Sequence, residues 1–168
     1  GIFEHATEGM FRTGVDGRYL LVNPAMARIF GYATPEEMVA SVGNIGQLYI
    51  DPERRQELLD LLAAHGSVLR FESQRRRKDG TTIWVSQSTR EIRDGAGRLQ
   101  FYEGTIEDIT ERKKAEAATA ALASTTRALL QSLDPDVISR TVTQTVCQLL
   151  NGLSASIYRF EPDSGDLV

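Results

Sequence analysis

Residues 69–113 read LRFESQRRRKDGTTIWVSQSTREIRDGAGRLQFYEGTIEDITERK. Three runs in it, Leu69–Arg77, Thr82–Ile92 and Leu99–Ile106, are rich in Val, Ile, Tyr, Phe, Trp and Thr. Such residues suit a pleated, half-buried strand. Asp79-Gly80 and Asp94-Gly95 separate the runs, and Asp-Gly favours a tight hairpin because both residues tolerate positive φ. The stretch therefore predicts three consecutive antiparallel strands.

Working back toward the N-terminus, Asp16-Gly17 joins two further strands, Met10–Thr13 and Tyr19–Val22. Between the second and third strands the chain predicts helices. Asn23-Pro24 is an N-cap followed by proline at the first helical position, and Gly31 closes that helix. Thr34 with Glu37 forms a capping box. Asp51-Pro52 opens a longer helix ending at Gly66, with Leu58, Leu61, Leu62 and His65 on one face. Two strands, several helices and three hairpin-linked strands make an α+β domain: a five-stranded antiparallel sheet with short helices on one face.

Composition changes after Thr110. Residues 111–133 hold no Pro or Gly and are Ala-rich, which is strong helix material. Ala115, Ala118, Leu122, Thr125 and Leu129 follow a heptad-like spacing, so the expectation is a dimeric coiled-coil linker rather than a solvated single helix. Beyond Asp134-Pro135, an amphipathic helix from Val137 to Leu150 and a strand over Ser154–Phe160 begin a further segment. The expected division is 1–110, 111–133 and 134–168.

The chain has 168 residues, 41% of them hydrophobic and 25% charged, as in a soluble globular protein. Its 19 basic and 23 acidic residues give a net charge of -4, which argues against nucleic acid as a partner. No apolar run approaches bilayer length, so no direct membrane insertion by this segment is expected. The single cysteine, Cys147, cannot form an intrachain disulfide, which fits a reducing, cytoplasmic setting and a small buried hydrophobe.

Several short motifs resemble the PAS sensor family (PAS/PAC type) across residues 1–113. They are Asp16-Gly17-Arg18-Tyr19 with Val22-Asn23-Pro24-Ala25, Phe30-Gly31-Tyr32 with Thr34-Pro35-Glu36-Glu37, and Arg76-Arg77-Lys78-Asp79-Gly80 with Ile83-Trp84-Val85. Glu103-Gly104-Thr105 and Asp108-Ile109-Thr110-Glu111-Arg112-Lys113 complete the set. Residues 134–168 resemble the start of a GAF domain, through Ala155-Ser156-Ile157-Tyr158-Arg159-Phe160. The resemblance implies a non-catalytic sensory segment of a bacterial two-component or cyclase-type signalling protein. A downstream effector in the same chain, a histidine kinase or a diguanylate cyclase, would supply the output.

The resemblance also implies a ligand site between sheet and helices. Strand alternation puts Phe71, Ser73 and Arg75 on one face. By resemblance Val85, Gln87, Tyr102 and Ile106 join them, and Met26, Ile29, Phe30, Met38 and Leu62 cover them from the helices. Ser73, Gln87 and Tyr102 would orient a small ligand; the bland alternative is a filled core. The basic run Arg75–Lys78 reads as a solvated strand end rather than an anion site.

No cofactor is predicted. A flavin photosensor of the light-oxygen-voltage type needs a cysteine within Gly43–Ile50 and a glutamine where Ile106 stands, and this sequence has neither. Haem is the sharper alternative, with His65 as axial ligand; an ordinary last-turn histidine is the competing explanation. No metal-ligand cluster is evident.

At the exit, Asp108, Ile109 and Thr110 are expected to cap the linker helix, with Arg77 or Lys78 pairing to Asp108 by family resemblance. Two chains are expected to pair through the linker (Leu122, Leu129) and the outer sheet face (Trp84, Phe101, with Ile2 and Phe3). Ligand binding would then tilt or rotate the linker. Two alternatives stay open, a ligand-free dimerisation spacer and a haem-based gas sensor.

Overall fold

The computed structural model describes Gly1–Ser132 and Thr143, with side chains as far as Arg127. The expected GAF-like start and Cys147 lie outside the described residues, as does the side chain of Leu129. The chain divides into two compact units, Gly1–Glu116 and Ala117–Val168.

The first unit holds a short helix α1 (Ile2–His5), β1 (Gly9–Gly14), β2 (Tyr19–Val22), α2 (Pro24–Phe30), α3 (Pro35–Ser41), a 3-10 turn (Ile45–Leu48), α4 (Pro52–His65), β3 (Ser67–Arg76), β4 (Thr82–Arg93) and β5 (Leu99–Asp108). The helix α5 (Thr110–Ser132) starts two residues past β5. All pairings are antiparallel, in the order β2-β1-β5-β4-β3. The α+β architecture is as the sequence predicts; α1 and the 3-10 turn are additions that carry too little periodicity to be read from it.

Each helix start has a local cause. Asn23 accepts from the Met26 backbone N–H at 2.9 Å, and Thr34 from Glu37 at 3.2 Å. Pro follows each of these caps, where its missing N–H costs nothing. Asn23 does more than cap. It is fully buried, accepts from Met10 N–H and donates to the Phe3 and Glu8 carbonyls, tying the N-terminal segment to α2. Gly31 and Gly66 end α2 and α4 at φ 78° and 72°, the left-handed conformation that glycine adopts without a Cβ clash.

The three hairpin turns differ from expectation in one respect. In each, a backbone N–H donates across the loop to the residue four positions on (Gly14 to Arg18, Arg77 to Thr81, Asp94 to Arg98). Positive φ falls on Gly17, Gly80 and Gly97, and no aspartate adopts it. These are three-residue loops with glycine in the left-handed position, not two-residue turns. In the third, Gly97 takes the role expected of Gly95. The aspartates serve instead as acceptors for nearby N–H groups, as Asp79 does for Thr81 at 2.9 Å.

The inner sheet face and the helices enclose two apolar clusters. The larger includes Phe11, Val22, Met26, Phe30, Met38, Val85 and Ile106; the smaller is Tyr49, Leu58, Leu62 and Phe71. On α4, Leu58 and Leu62 reach the core, Leu61 packs at its margin, and His65 is exposed.

Candidate functional site

Strand alternation brings Phe71, Ser73 and Arg75 of β3 beside Ile83, Val85, Gln87 and Thr89 of β4, all buried on the inner face. Of the expected lining, Met26, Phe30, Met38, Leu62, Phe71, Ser73, Val85, Gln87 and Ile106 are buried, while Ile29 and Tyr102 are half-buried. Burial raises the Tyr102 hydroxyl above its ordinary pKa, followed by the effect of Glu91. Ile106 presents an apolar side chain to this interior, as the sequence expects.

Arg75 overturns one expectation. It is not part of a solvated strand end; it is 3% exposed and lies in the core. Its guanidinium stacks on the Tyr49 ring at 3.1 Å, and its Nη2 donates to Gln87 Oε1 at 2.8 Å. Gln87 Nε2 donates in turn to Thr89 Oγ1 at 2.7 Å. Tyr49 is held in place by a β-bridge to Arg75, and the Ile50 N–H donates to the Gln74 carbonyl at 3.3 Å. Among the described residues no carboxylate pairs with Arg75, and its Nη1 and Ser73 Oγ have no hydrogen-bond partner. The Tyr49 hydroxyl favours the cation from nearby but makes no bond of acceptable geometry. Burial pulls the Arg75 pKa down to about 10 and pushes the Tyr19 hydroxyl up. Desolvating a lone cation costs several kcal/mol. Cation–π stacking returns on the order of 2 kcal/mol when desolvated, and the charged hydrogen bond to Gln87 returns about 1.5–3 kcal/mol more.

The exit joint is the second cluster. Arg77 Nη2 donates to Asp108 Oδ2 at 2.7 Å. Asp108 Oδ1 accepts from the Thr110 N–H at 2.9 Å and from its hydroxyl. Thr110 Oγ1 accepts from the Trp84 N–H at 3.0 Å, and the Ile109 N–H donates to the Trp84 carbonyl at 2.9 Å. Lys78, the other expected partner of Asp108, pairs with Glu37 of α3 instead. One turn further, Arg112 Nη2 donates to Glu72 Oε1 at 2.7 Å, and Lys113 pairs with Glu72 at 2.5 Å. These contacts fasten the first turn of α5 to β3, β4 and β5.

On the outer sheet face, two of the expected dimer aromatics, Trp84 and Phe101, are each covered by a cation of their own chain. Lys113 lies 5.3 Å from the Trp84 ring centre, and Arg12 lies 4.2 Å from that of Phe101. A groove of about 590 Å³ runs over this face, lined by Phe3, Met10, Arg12, Leu69, Arg90 and Glu103 among others. Ile2 and Leu122 are exposed. His65, exposed on the last turn of α4, does not face the interior where an axial haem ligand is needed. No helix of the described residues is long and apolar enough to cross a membrane, and no group of His, Cys, Asp or Glu among them could hold a metal.

Sequence reasoning missed Tyr49, Thr13 and Thr89 at the interior, and Glu72 at the joint. Alternation on β4 contained the signal for Thr89, two residues past Gln87. Tyr49 follows the 3-10 turn in an irregular segment and gave none.

A family model described as the PAS fold matches residues 1–109. The sensor histidine kinase TmoS of Ectopseudomonas mendocina is 29% identical over 115 residues, 68% of this chain and 12% of that protein. The C4-dicarboxylate transport sensor protein DctS of Rhodobacter capsulatus is 31% identical over 116 residues, 67% of this chain and 17% of that protein. The chain thus spans less than a fifth of the length of either relative. Among solved structures, an RNA-binding Light-Oxygen-Voltage receptor superposes with a TM-score of 0.61 at 28% identity, over 73% of this chain and 35% of that one.

Proposed function

This chain belongs to the PAS family, and from that membership we propose that it is the sensing module of a larger signalling protein, a sensor histidine kinase by class. The module receives a small ligand or partner at its interior and relays the event through α5 to an effector downstream in the same polypeptide. Two chains pair in parallel along α5, and a change in the last strands tilts or rotates that helix pair between two states.

The observation that carries this reading is the Asp108 joint. A single carboxylate binds the β3 end through Arg77 and the α5 start through Thr110, so displacement of either strand end is felt at the helix. Helix α5 then runs without Pro or Gly through Ser132, which suits it to transmit a tilt.

The test is Asp108→Ala in the full-length parent, with autophosphorylation as readout. The expected result is a kinase that no longer changes its output with the stimulus while the module stays folded by circular dichroism. An unaltered stimulus response overturns the relay. A parent that carries output but answers to no stimulus or metabolite favours the second role, a ligand-free dimerisation spacer, which the densely buried interior also suits.

A further inference from the structure

We propose that the interior of this domain binds a small carboxylate, held at the free Nη1 edge of Arg75, with its apolar remainder against Leu58, Leu62 and Phe71. The inference deepens the sensing role proposed above and rests on it.

Three observations converge. A guanidinium buried to 3% exposure has no counter-charge among the described residues. A buried charge of this kind is ordinarily paired. Of the groups left without partners, Arg75 Nη1 can only donate and Ser73 Oγ is able to donate, and the two residues lie two apart on one face of β3. Tyr49, stacked on Arg75, adds a second hydroxyl and a third unpartnered group. Arg75 Nη1 requires an acceptor and both hydroxyls are able to donate to the same one, so an acceptor-only group satisfies all three, and an ionised carboxyl is such a group.

The surroundings select the rest of the molecule. Tyr49 covers the flat face of the guanidinium, and Gln87 occupies Nη2, so the in-plane Nη1 edge is what remains. Tyr49 itself belongs to the smaller apolar cluster, with Leu58, Leu62 and Phe71. An inorganic oxyanion would lose its water on every side and regain donors on one. A carboxylate presents one charged end and buries an apolar remainder. Arg55, half-buried on α4 and 5.7 Å from the Tyr49 ring, adds positive potential at the approach. The unpartnered atoms are shut off from solvent in this structure beneath the segment that carries Tyr49.

The test uses the whole 168-residue chain, with sodium butyrate, hexanoate and benzoate as probes in calorimetry and thermal unfolding. Benzamide, sodium chloride and sodium sulfate at matched ionic strength are the controls. At least one carboxylate is expected to bind saturably and raise the unfolding midpoint, with benzamide weaker than benzoate by roughly tenfold or more, as for loss of a charge-assisted bond. Arg75→Met abolishes binding. Should that variant fail to fold, Arg75→Lys keeps the charge without the planar fork and weakens binding by about tenfold. The proposal is overturned if no probe carboxylate binds, if benzamide or chloride matches benzoate, or if binding survives in Arg75→Met. Such a failure leaves the Asp108 relay standing, because that is read in the parent's autophosphorylation.

Discussion

Arg77 and Asp108 stand 31 residues apart in sequence and 2.7 Å apart in space, at the seam where β5 gives way to α5. The pair is about a third exposed, so its Coulombic part is worth little by itself. The value of Asp108 lies in its other oxygen, which satisfies the Thr110 N–H at a helix start. Asp108→Ala is expected to lower stability by about 1–2 kcal/mol, the usual cost of a lost cap. Urea unfolding of the isolated chain measures it, and a change below about 0.3 kcal/mol would show the joint to be energetically idle.

Gly104 leaves no room for a side chain. A Cβ built there would meet the Ser88 carbonyl oxygen at 2.0 Å, which is backbone and cannot turn aside. Gly104→Ala is expected to pry β5 from β4, at a cost of about 3 kcal/mol or more, as for other severe overpacking. The readout is the thermal midpoint, and a wild-type midpoint refutes the register assigned to these strands.

Two leucines separate burial from mere hydrophobicity. Leu62 is 1% exposed and Leu69 is 77% exposed. Leu62→Ala should cost about 2–5 kcal/mol, whereas Leu69→Ala should stay within about 0.5 kcal/mol of wild type. Equal effects in urea titrations would contradict the placement of α4 on the sheet.

Glu103 accepts from Arg90 and from Arg12, and these bonds, Arg90 first, hold its pKa below the ordinary 4.5. A lowered folded-state value means the carboxylate stabilises the fold above 4.5, and that contribution fades as pH falls through the lowered value. Glu103→Gln should therefore destabilise the chain at about pH 7, and its gap to wild type should shrink as the pH is taken below 4.5. A gap between the two that stays constant across that range refutes the assignment.

Leu122 is 70% exposed on α5 and sits on the expected seam. If α5 pairs with a second copy, Leu122→Glu places like charges face to face and should turn a dimer into a monomer. Light scattering after size exclusion reads the outcome, and an unchanged mass removes Leu122 from the interface.

Strands, caps and glycine terminators were legible because each rests on neighbouring residues: alternation in Ile83–Thr89, Asn23 before Pro24, Gly66 after His65. The interior site was only half legible. Alternation already set Arg75 beside Ser73 and Phe71, but three further basic residues follow it, and a basic run ordinarily means solvent. What buries Arg75 is Tyr49, brought over it by an irregular segment whose path depends on tertiary packing. His65 fell on the α4 face by sequence spacing, yet it is in the last turn, where the helix has run past the edge of the core. Lys78 and Arg77 were indistinguishable in sequence; a hairpin bend sends one to Glu37 and the other to Asp108.

The strand order has a consequence for synthesis. β5 is the last strand of this sheet to be made, yet it occupies the middle, between β1 and β4. A ribosome that has delivered everything before Leu99 has made two hairpins that share no hydrogen-bonded neighbour, each with a bare edge. The nascent chain must keep those edges from sticking to other polypeptides until the ten-residue β5 slots between them. A truncation that removes β5 therefore leaves two hairpins with no hydrogen-bonded strand between them, rather than a sheet short of one edge.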